Sequence, residues 1–169
     1  DIAFKNINLI YDELCEFFPY KVIKQYGCEA DDTIAELVKW TQEFGNHEKV
    51  MIVSSDRDFL QLQKYGNVSQ FSTNTKKLMK ESNPRLYLKT HILTGCSTDS
   101  VPNVLSGDRV FVDGIRQTTL TAKKRDILLA DPKALGEDVY RNYMRNKKMI
   151  DLTEESQCPD TVKHEIINT

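Results

Sequence analysis

The stretch Val50-Met51-Ile52-Val53-Ser54-Ser55-Asp56-Arg57-Asp58-Phe59-Leu60-Gln61-Leu62 decides how the chain folds. Val50 to Val53 is a short apolar run of the kind a buried parallel strand carries, and Phe59-Leu60-Gln61-Leu62 begins a helix. Between them, Asp56 and Asp58 stand just past the C-terminal end of the strand. In an open parallel sheet, ligands collect in the crevice outside those strand ends.

Upstream, Ile7, Ile10, Leu14, Phe17 and Phe18 recur at three- and four-residue spacing, which predicts an amphipathic helix stopped by Pro19. Tyr20 to Gln25 alternates and is β-branched enough for a strand ending at Gly27. A helix entered through Glu29, Asp31 and Asp32 follows, with Ile34, Leu37, Val38 and Trp40 on its apolar side and its end at Phe44-Gly45. Downstream of the opening stretch, Val68 to Phe71 reads as a further strand. The order helix, strand, helix, strand, helix, strand is the signature of a parallel sheet with crossover helices.

After about Thr73 the texture changes. Lys76, Lys77 and Lys80 fall in a short strand or turn, and Pro84 starts a helix that runs through Leu93 to Gly95. Cys96 to Leu105 is turn-rich, and Ser106 to Thr119 is a loop or short hairpin. Leu120 to Ala130 and Lys133 to Met144 read as helices, and Pro159 as the first-turn proline of a last one. The expected fold is an α/β half, residues 1–73, followed by a helical half, residues 74–169.

Charge divides along the same line. The net charge of −2 hides 12 acidic against 6 basic groups in residues 1–60, 16 basic against 8 acidic in 61–150, and 5 acidic against 1 basic in 151–169. An acidic block abutting a basic one fits a cation site beside a phosphate-binding surface. Other classes drop out. No apolar run approaches the roughly 20 residues that span a bilayer, and no leader-like segment opens the chain, so it reads as cytoplasmic. The 4 cysteines form no C-x-x-C pair and the 3 histidines no H-x-x-x-H, so neither a zinc site nor a disulfide framework is indicated.

Glu29 and Asp31 follow one expected strand as Asp56 and Asp58 follow the next, so the carboxylates face one crevice. Capping of free helix N–H groups explains Asp32 or Asp58 taken singly, but Glu29 and Asp56 precede their helices and gain least from it. Clustered carboxylates either hold raised pKa values or collect divalent cations. With oxygen donors alone, Mg²⁺ or Mn²⁺ is the natural occupant, and a pair of such ions suits phosphodiester hydrolysis.

Three segments, Gly27-Cys28-Glu29-Ala30-Asp31-Asp32-Thr33-Ile34-Ala35, Ile52 to Leu62, and Thr94-Gly95-Cys96-Ser97-Thr98-Asp99-Ser100-Val101-Pro102-Asn103-Val104, resemble successive motifs of the flap-endonuclease and 5′-nuclease superfamily. The tail Lys147-Lys148-Met149-Ile150-Asp151-Leu152 with Pro159-Asp160 resembles the phage ribonuclease H branch of it. The resemblance implies a PIN-like sheet followed by a helix-turn-helix DNA-binding region. It also implies a 5′-3′ exonuclease or flap endonuclease acting by two-metal chemistry on DNA duplexes with a 5′ end, a flap or an RNA primer, in the host-cell cytoplasm if phage-encoded.

By the same resemblance Glu29 and Asp31 hold the first metal, Asp56, Asp58 and Asp99 form the second-metal group partly through water, and Asp32 is a supporting residue or helix cap. Gly95 to Val104, through Gly95, Ser100, Val101 and Asn103, matches the element that grips duplex backbone, in the family with the help of a monovalent cation such as K⁺. Family members usually carry Asp where this chain has Cys96 and often Asn where it has Ser100, which leaves Asp99 as the turn's only acid.

The family opens with a central strand bearing an Asp, a further acidic helix and a basic arch, and none of these is found ahead of Asp1, so the expectation is an incomplete chain, inactive alone. Lys76, Lys77, Arg109, Lys123, Lys124 and Arg125 are the candidate phosphate contacts. No aromatics are interleaved with them, so binding by shape is expected. Single-strand-binding or replication proteins, and a missing N-terminal segment or separate chain, are the other implied partners. Two alternatives stand beside this reading: a metal-dependent DNA-binding fragment of a split or inactive nuclease, and a haloacid-dehalogenase-like phosphatase, which would leave Glu29, Asp31 and Asp99 idle.

Overall fold

The computed structural model describes residues 2–153 together with 163, 164, 166 and 167. Its elements are α1 (Ile2–Phe17), α2 (Ala30–Glu43), β1 (Val50–Val53), a 3₁₀ helix (Asp58–Lys64), β2 (Val68–Ser72), β3 (Lys77–Met79), α3 (Pro84–Thr94), α4 (Ala122–Ala130) and α5 (Glu137–Ile150). The sheet has the order β1-β2-β3, with β1 and β2 parallel and in register from Val50 opposite Val68 to Val53 opposite Phe71. β3 returns antiparallel from a tight turn in which Lys76 takes φ 54°. That hairpin straddles residue 73, so the sheet runs on past the expected boundary.

Three elements differ from expectation. Tyr20 to Gln25 forms no strand. A strand needs a neighbour to satisfy its N–H and C=O groups, and among the described residues none pairs with this segment. The helix expected from Phe59 is a 3₁₀ helix, its buried Phe59, Leu60 and Leu62 set against α2, β2 and α3. The helix expected over 133–144 instead starts at Glu137 and runs to Ile150, because Gly136 at φ 102° provides a break that no other residue type adopts so readily. The start of the helix expected from Pro159 lies outside the described residues; 163, 164, 166 and 167, which are described, are helical.

The core is built in three neighbouring clusters. Ala35, Val38, Ile52, Phe59, Leu62 and Val68 join α2 to the sheet. Ile92, Val101 and Ile150 join α3 to α5, and Leu93, Val104 and Leu128 join α3 to α4. Each fully buried side chain of this size contributes about 1.5–3 kcal/mol.

Buried amides fix the relation between these parts. Gln61 donates to the Ile150 carbonyl at 3.0 Å and accepts from the Leu152 N–H at 2.9 Å, which ties the end of α5 to the 3₁₀ helix. Asn146 donates to the carbonyls of Ile92 and Pro102, both at 2.8 Å, and Asn142 to those of Val104 and Ser106. α1 buries no residue, and its Phe4, Ile7, Ile10 and Phe17 are exposed. β1 occupies a sheet edge, with Met51 and Val53 exposed.

Candidate functional site

Glu29, Asp31, Asp32, Asp56, Asp58 and Asp99 all line one open cavity of about 860 Å³. Its walls come from the start of α2, the segment after β1, the turn after α3 and the end of α5. Gly27, at φ 87°, turns the chain into α2. Asp32, buried, accepts the Glu29 N–H at 3.1 Å and so closes the helix start. Asp32 therefore spends a carboxylate oxygen on its own helix. Glu29, expected to gain little from capping, is the N-cap residue that closes the other half of this capping box, while Asp31 lines the cavity one position before Asp32.

The segment after β1 is held from below. Gln70, wholly buried on β2, donates to the carbonyls of Ser54 and Asp56, and Ser55 bonds the hydroxyls of Ser72 and Thr73 at 3.0 and 3.1 Å. Asp56 Oδ1 then accepts the Asp58 N–H at 2.9 Å. A turn of this kind fixes the spacing of the two carboxylates.

Asp99 sits in a loop pinched by paired backbone bonds between Cys96 and Val101, at 2.9 and 2.8 Å. Ser100 takes φ 59° at its tip. Burial, followed by a hydrogen bond with Asp99, pushes the Cys96 thiol up. It is thus neutral at pH 7 and does not replace the charge of a carboxylate.

The electrostatics of the crevice are one-sided. Asp31 is pushed up to about 6, first by burial and then by Asp56, Asp58, Glu29 and Asp32. Lys148 is the basic residue among the lining side chains. Hard oxygen donors under mutual repulsion fit a hard divalent cation. The side chains stand apart, however: among the described residues no three His, Cys, Asp or Glu groups converge closely enough to hold an ion. The donor chemistry is that of a hard divalent cation, and Glu29, Asp31, Asp56, Asp58 and Asp99 are the residues that would hold one.

The expected duplex contacts divide into two kinds. Val101 is buried beside Ile92 and Ile150, and its backbone N–H and C=O are spent on Cys96. Asn103 is buried as well. It donates to the Thr118 carbonyl at 2.8 Å and accepts from the Leu105 N–H at 2.9 Å. Both residues are thus engaged in shaping the turn. Ser100, Lys76, Lys77, Lys123 and Lys124 are exposed, Arg109 is paired with Asp113 at 3.0 Å, and Arg125 lies 3.5 Å from Asp126. None of the basic residues in this set lines the carboxylate cavity.

Two residues at the crevice were not singled out from the sequence. Lys148 was one of a basic run on α5, and nothing in its spacing separates it from Lys147. His91 carried no ligand-like spacing, yet its Nε2 lies 2.9 Å from Asp58 Oδ1.

A family model described as "5′-3′ exonuclease, N-terminal resolvase-like domain" matches residues 3–89. The ribonuclease H of Enterobacteria phage T4 is 34% identical over 98% of this chain and 55% of its own length, so the chain spans about half of that relative. Among solved structures, a point mutant of the phage T5 5′-exonuclease superposes with a TM-score of 0.64 at 18% identity, over 98% of this chain and 75% of that one. The phage T5 flap endonuclease in a pseudo-enzyme-product complex with DNA and metal ions gives 0.61 at 19% identity, over 98% and 67%. At these identities the structural likeness speaks for the fold.

Proposed function

The chain belongs to the 5′-3′ exonuclease family, and on that premise we propose that it supplies most of the metal-binding crevice and the duplex-gripping region of a structure-specific 5′ nuclease. The reaction is hydrolysis of phosphodiester bonds at 5′ ends, flaps or RNA primers on DNA, the activity of the ribonuclease H type, in the cytoplasm, that of the host cell if the chain is phage-encoded. One observation carries the reading: acidic residues from three separate stretches of sequence line one cavity, where Asp31 is held at about 6 by burial and by its acidic neighbours.

Glu29 and Asp31 would hold one divalent cation and Asp56, Asp58 and Asp99 a second, Mg²⁺ or Mn²⁺. Bound there, the pair supplies charge for the attacking and leaving oxygens of the phosphodiester. Asp32 keeps α2 in place, and Gln70 and Ser55 hold the Asp56 turn. The nuclease part takes in the sheet through β3, past the expected boundary at residue 73, and the duplex-binding part follows it, with Gly95, Ser100, Lys123 and Lys124, joined by Lys76 and Lys77 of the hairpin, along the backbone and K⁺ as the cation suited to carbonyls near Gly95 to Val104. Replication proteins, single-strand-binding ones among them, are the other partners this role implies.

The test is cleavage of a 5′-flapped duplex by the full product of the gene that encodes this chain. Cleavage that needs Mg²⁺ or Mn²⁺ and is lost in Asp31→Asn and Asp56→Asn is the expected result. Metal-independent cleavage, or full activity in both variants, overturns the reading. A second reading, a metal-dependent DNA-binding fragment of a split nuclease, draws on the carboxylates that do not yet converge and on the free edge of β1. Cleavage by residues 1–169 alone would exclude it.

A further inference from the structure

We propose that His91 is a positioning residue for Asp58, locking that carboxylate to α3 so that one oxygen is kept for the crevice. The inference rests on the metal reading above and goes beyond it in assigning a residue outside the carboxylate set.

His91 Nε2 stands 2.9 Å from Asp58 Oδ1, and the two side chains are 18% and 20% exposed. An ionised carboxylate can only accept, so Nε2 is the donor, whatever the state of Nδ1. The ring cannot swing easily. Tyr87, one turn earlier on α3, stacks on it with centroids 5.7 Å apart. α3 itself packs against the 3₁₀ helix that begins at Asp58.

The consequence is a division of labour between oxygens. Asp56 Oδ1 is engaged by the Asp58 N–H, and Asp58 Oδ1 by His91. Each carboxylate therefore has one oxygen fixed by the protein and a second to offer. The same helix that carries His91 runs straight into the turn that carries Asp99. His91 thus fixes the distance between a carboxylate set by the sheet and one set by the helical region, which no bond within either region can do. Carboxylates that ligate metals are commonly oriented in this way, and loss of the orienting partner lowers metal affinity by about 10- to 100-fold.

The experiment compares wild type, His91→Gln and His91→Leu, all in the full product of the gene that encodes this chain. Gln places an N–H donor near the position of Nε2, while Leu fills similar space with none. Mn²⁺ binding is read from the paramagnetic resonance signal of the free ion, and melting of the metal-free proteins is recorded in parallel. We expect His91→Gln to bind within about threefold of wild type and His91→Leu at least tenfold more weakly, measured far below either melting point. In an Asp58→Asn background the Leu change should have no further effect. A purely structural histidine would lower the melting temperature in both variants and leave Mn²⁺ affinity alone, and that result overturns the proposal. Wild type that fails to bind Mn²⁺ overturns the metal reading itself and this inference with it, so the two failures are told apart.

Discussion

Gly95 and Val101 approach so closely that a β-carbon on the former would overlap the carbonyl oxygen of the latter. Gly95 also takes φ 70°, which glycine alone adopts without cost. The pinch between Cys96 and Val101 that presents Asp99 is therefore built on this glycine. Gly95→Ala should lower stability by about 2 kcal/mol or more, since strain and overlap act together. Chemical denaturation measures this, and a variant within about 0.5 kcal/mol of wild type would show that the turn relaxes.

The same turn is held from α5. Asn146, wholly buried, donates to the carbonyls of Ile92 and Pro102 at 2.8 Å. Asn146→Leu keeps the branched shape but takes the side-chain donor from the Ile92 carbonyl and leaves the Pro102 carbonyl to Arg145 Nη2 alone, at 3.1 Å. A buried carbonyl without its donor costs about 1–3 kcal/mol, and a loss of that order is expected. A loss no larger than that of an exposed substitution such as Met144→Ala would mean that water replaces the amide.

How much of this was legible in the sequence follows from what each feature depends on. Asp56 and Asp58 were readable because β1 ends just before them and places them by its own geometry, whereas Glu29 and Asp31 reach the same cavity from the start of α2, with no strand ahead of them. The strand at Tyr20 to Gln25 was misread because alternation records a preference, whereas a strand exists only with a partner. His91 was invisible, since its role depends on how α3 lies against the 3₁₀ helix, 33 residues away in sequence from Asp58. Val101 and Asn103 came into the expected duplex contacts through the family resemblance of their segment, and nothing in the sequence signals that both are buried. Their burial comes from α5 and residues 117–118 closing over them.

Asp31 predicts a pH dependence. Its folded value of about 6 lies above the ordinary 3.8. The folded protein thus holds this proton more tightly than the unfolded chain does. Its contribution to stability is fully present below about pH 4 and is lost as pH rises through 6. In the metal-free chain, Asp31→Asn should accordingly raise the melting temperature at pH 7 and leave it unchanged near pH 3.5. Metal binding runs the other way, because the proton must leave first. Mn²⁺ affinity should fall about tenfold from pH 7 to pH 5 through this group alone, with a smaller fall in Asp31→Asn. Calorimetric titration at the two pH values decides it, and an equal fall in both proteins would assign the proton elsewhere.

Lys123 and Lys124 are exposed in the first turn of α4, where Thr121 accepts the Lys124 N–H at 3.4 Å and closes the helix. Cations at a helix start oppose the dipole, so their placement there does not serve the helix, and neither is in an ion pair among the described residues. A phosphate backbone lying across this helix start would be met by both side chains. The double change Lys123→Glu, Lys124→Glu should therefore leave the melting temperature at or slightly above that of wild type. It should also flatten the dependence of log affinity on log salt for a DNA duplex by about 2, near 0.9 for each phosphate that a lysine no longer neutralises. Charge reversal at Lys5 on α1, remote in sequence from the basic region, controls for net charge. If that control flattened the slope as much, the effect would belong to the overall charge, and the assignment of α4 to the duplex would be wrong.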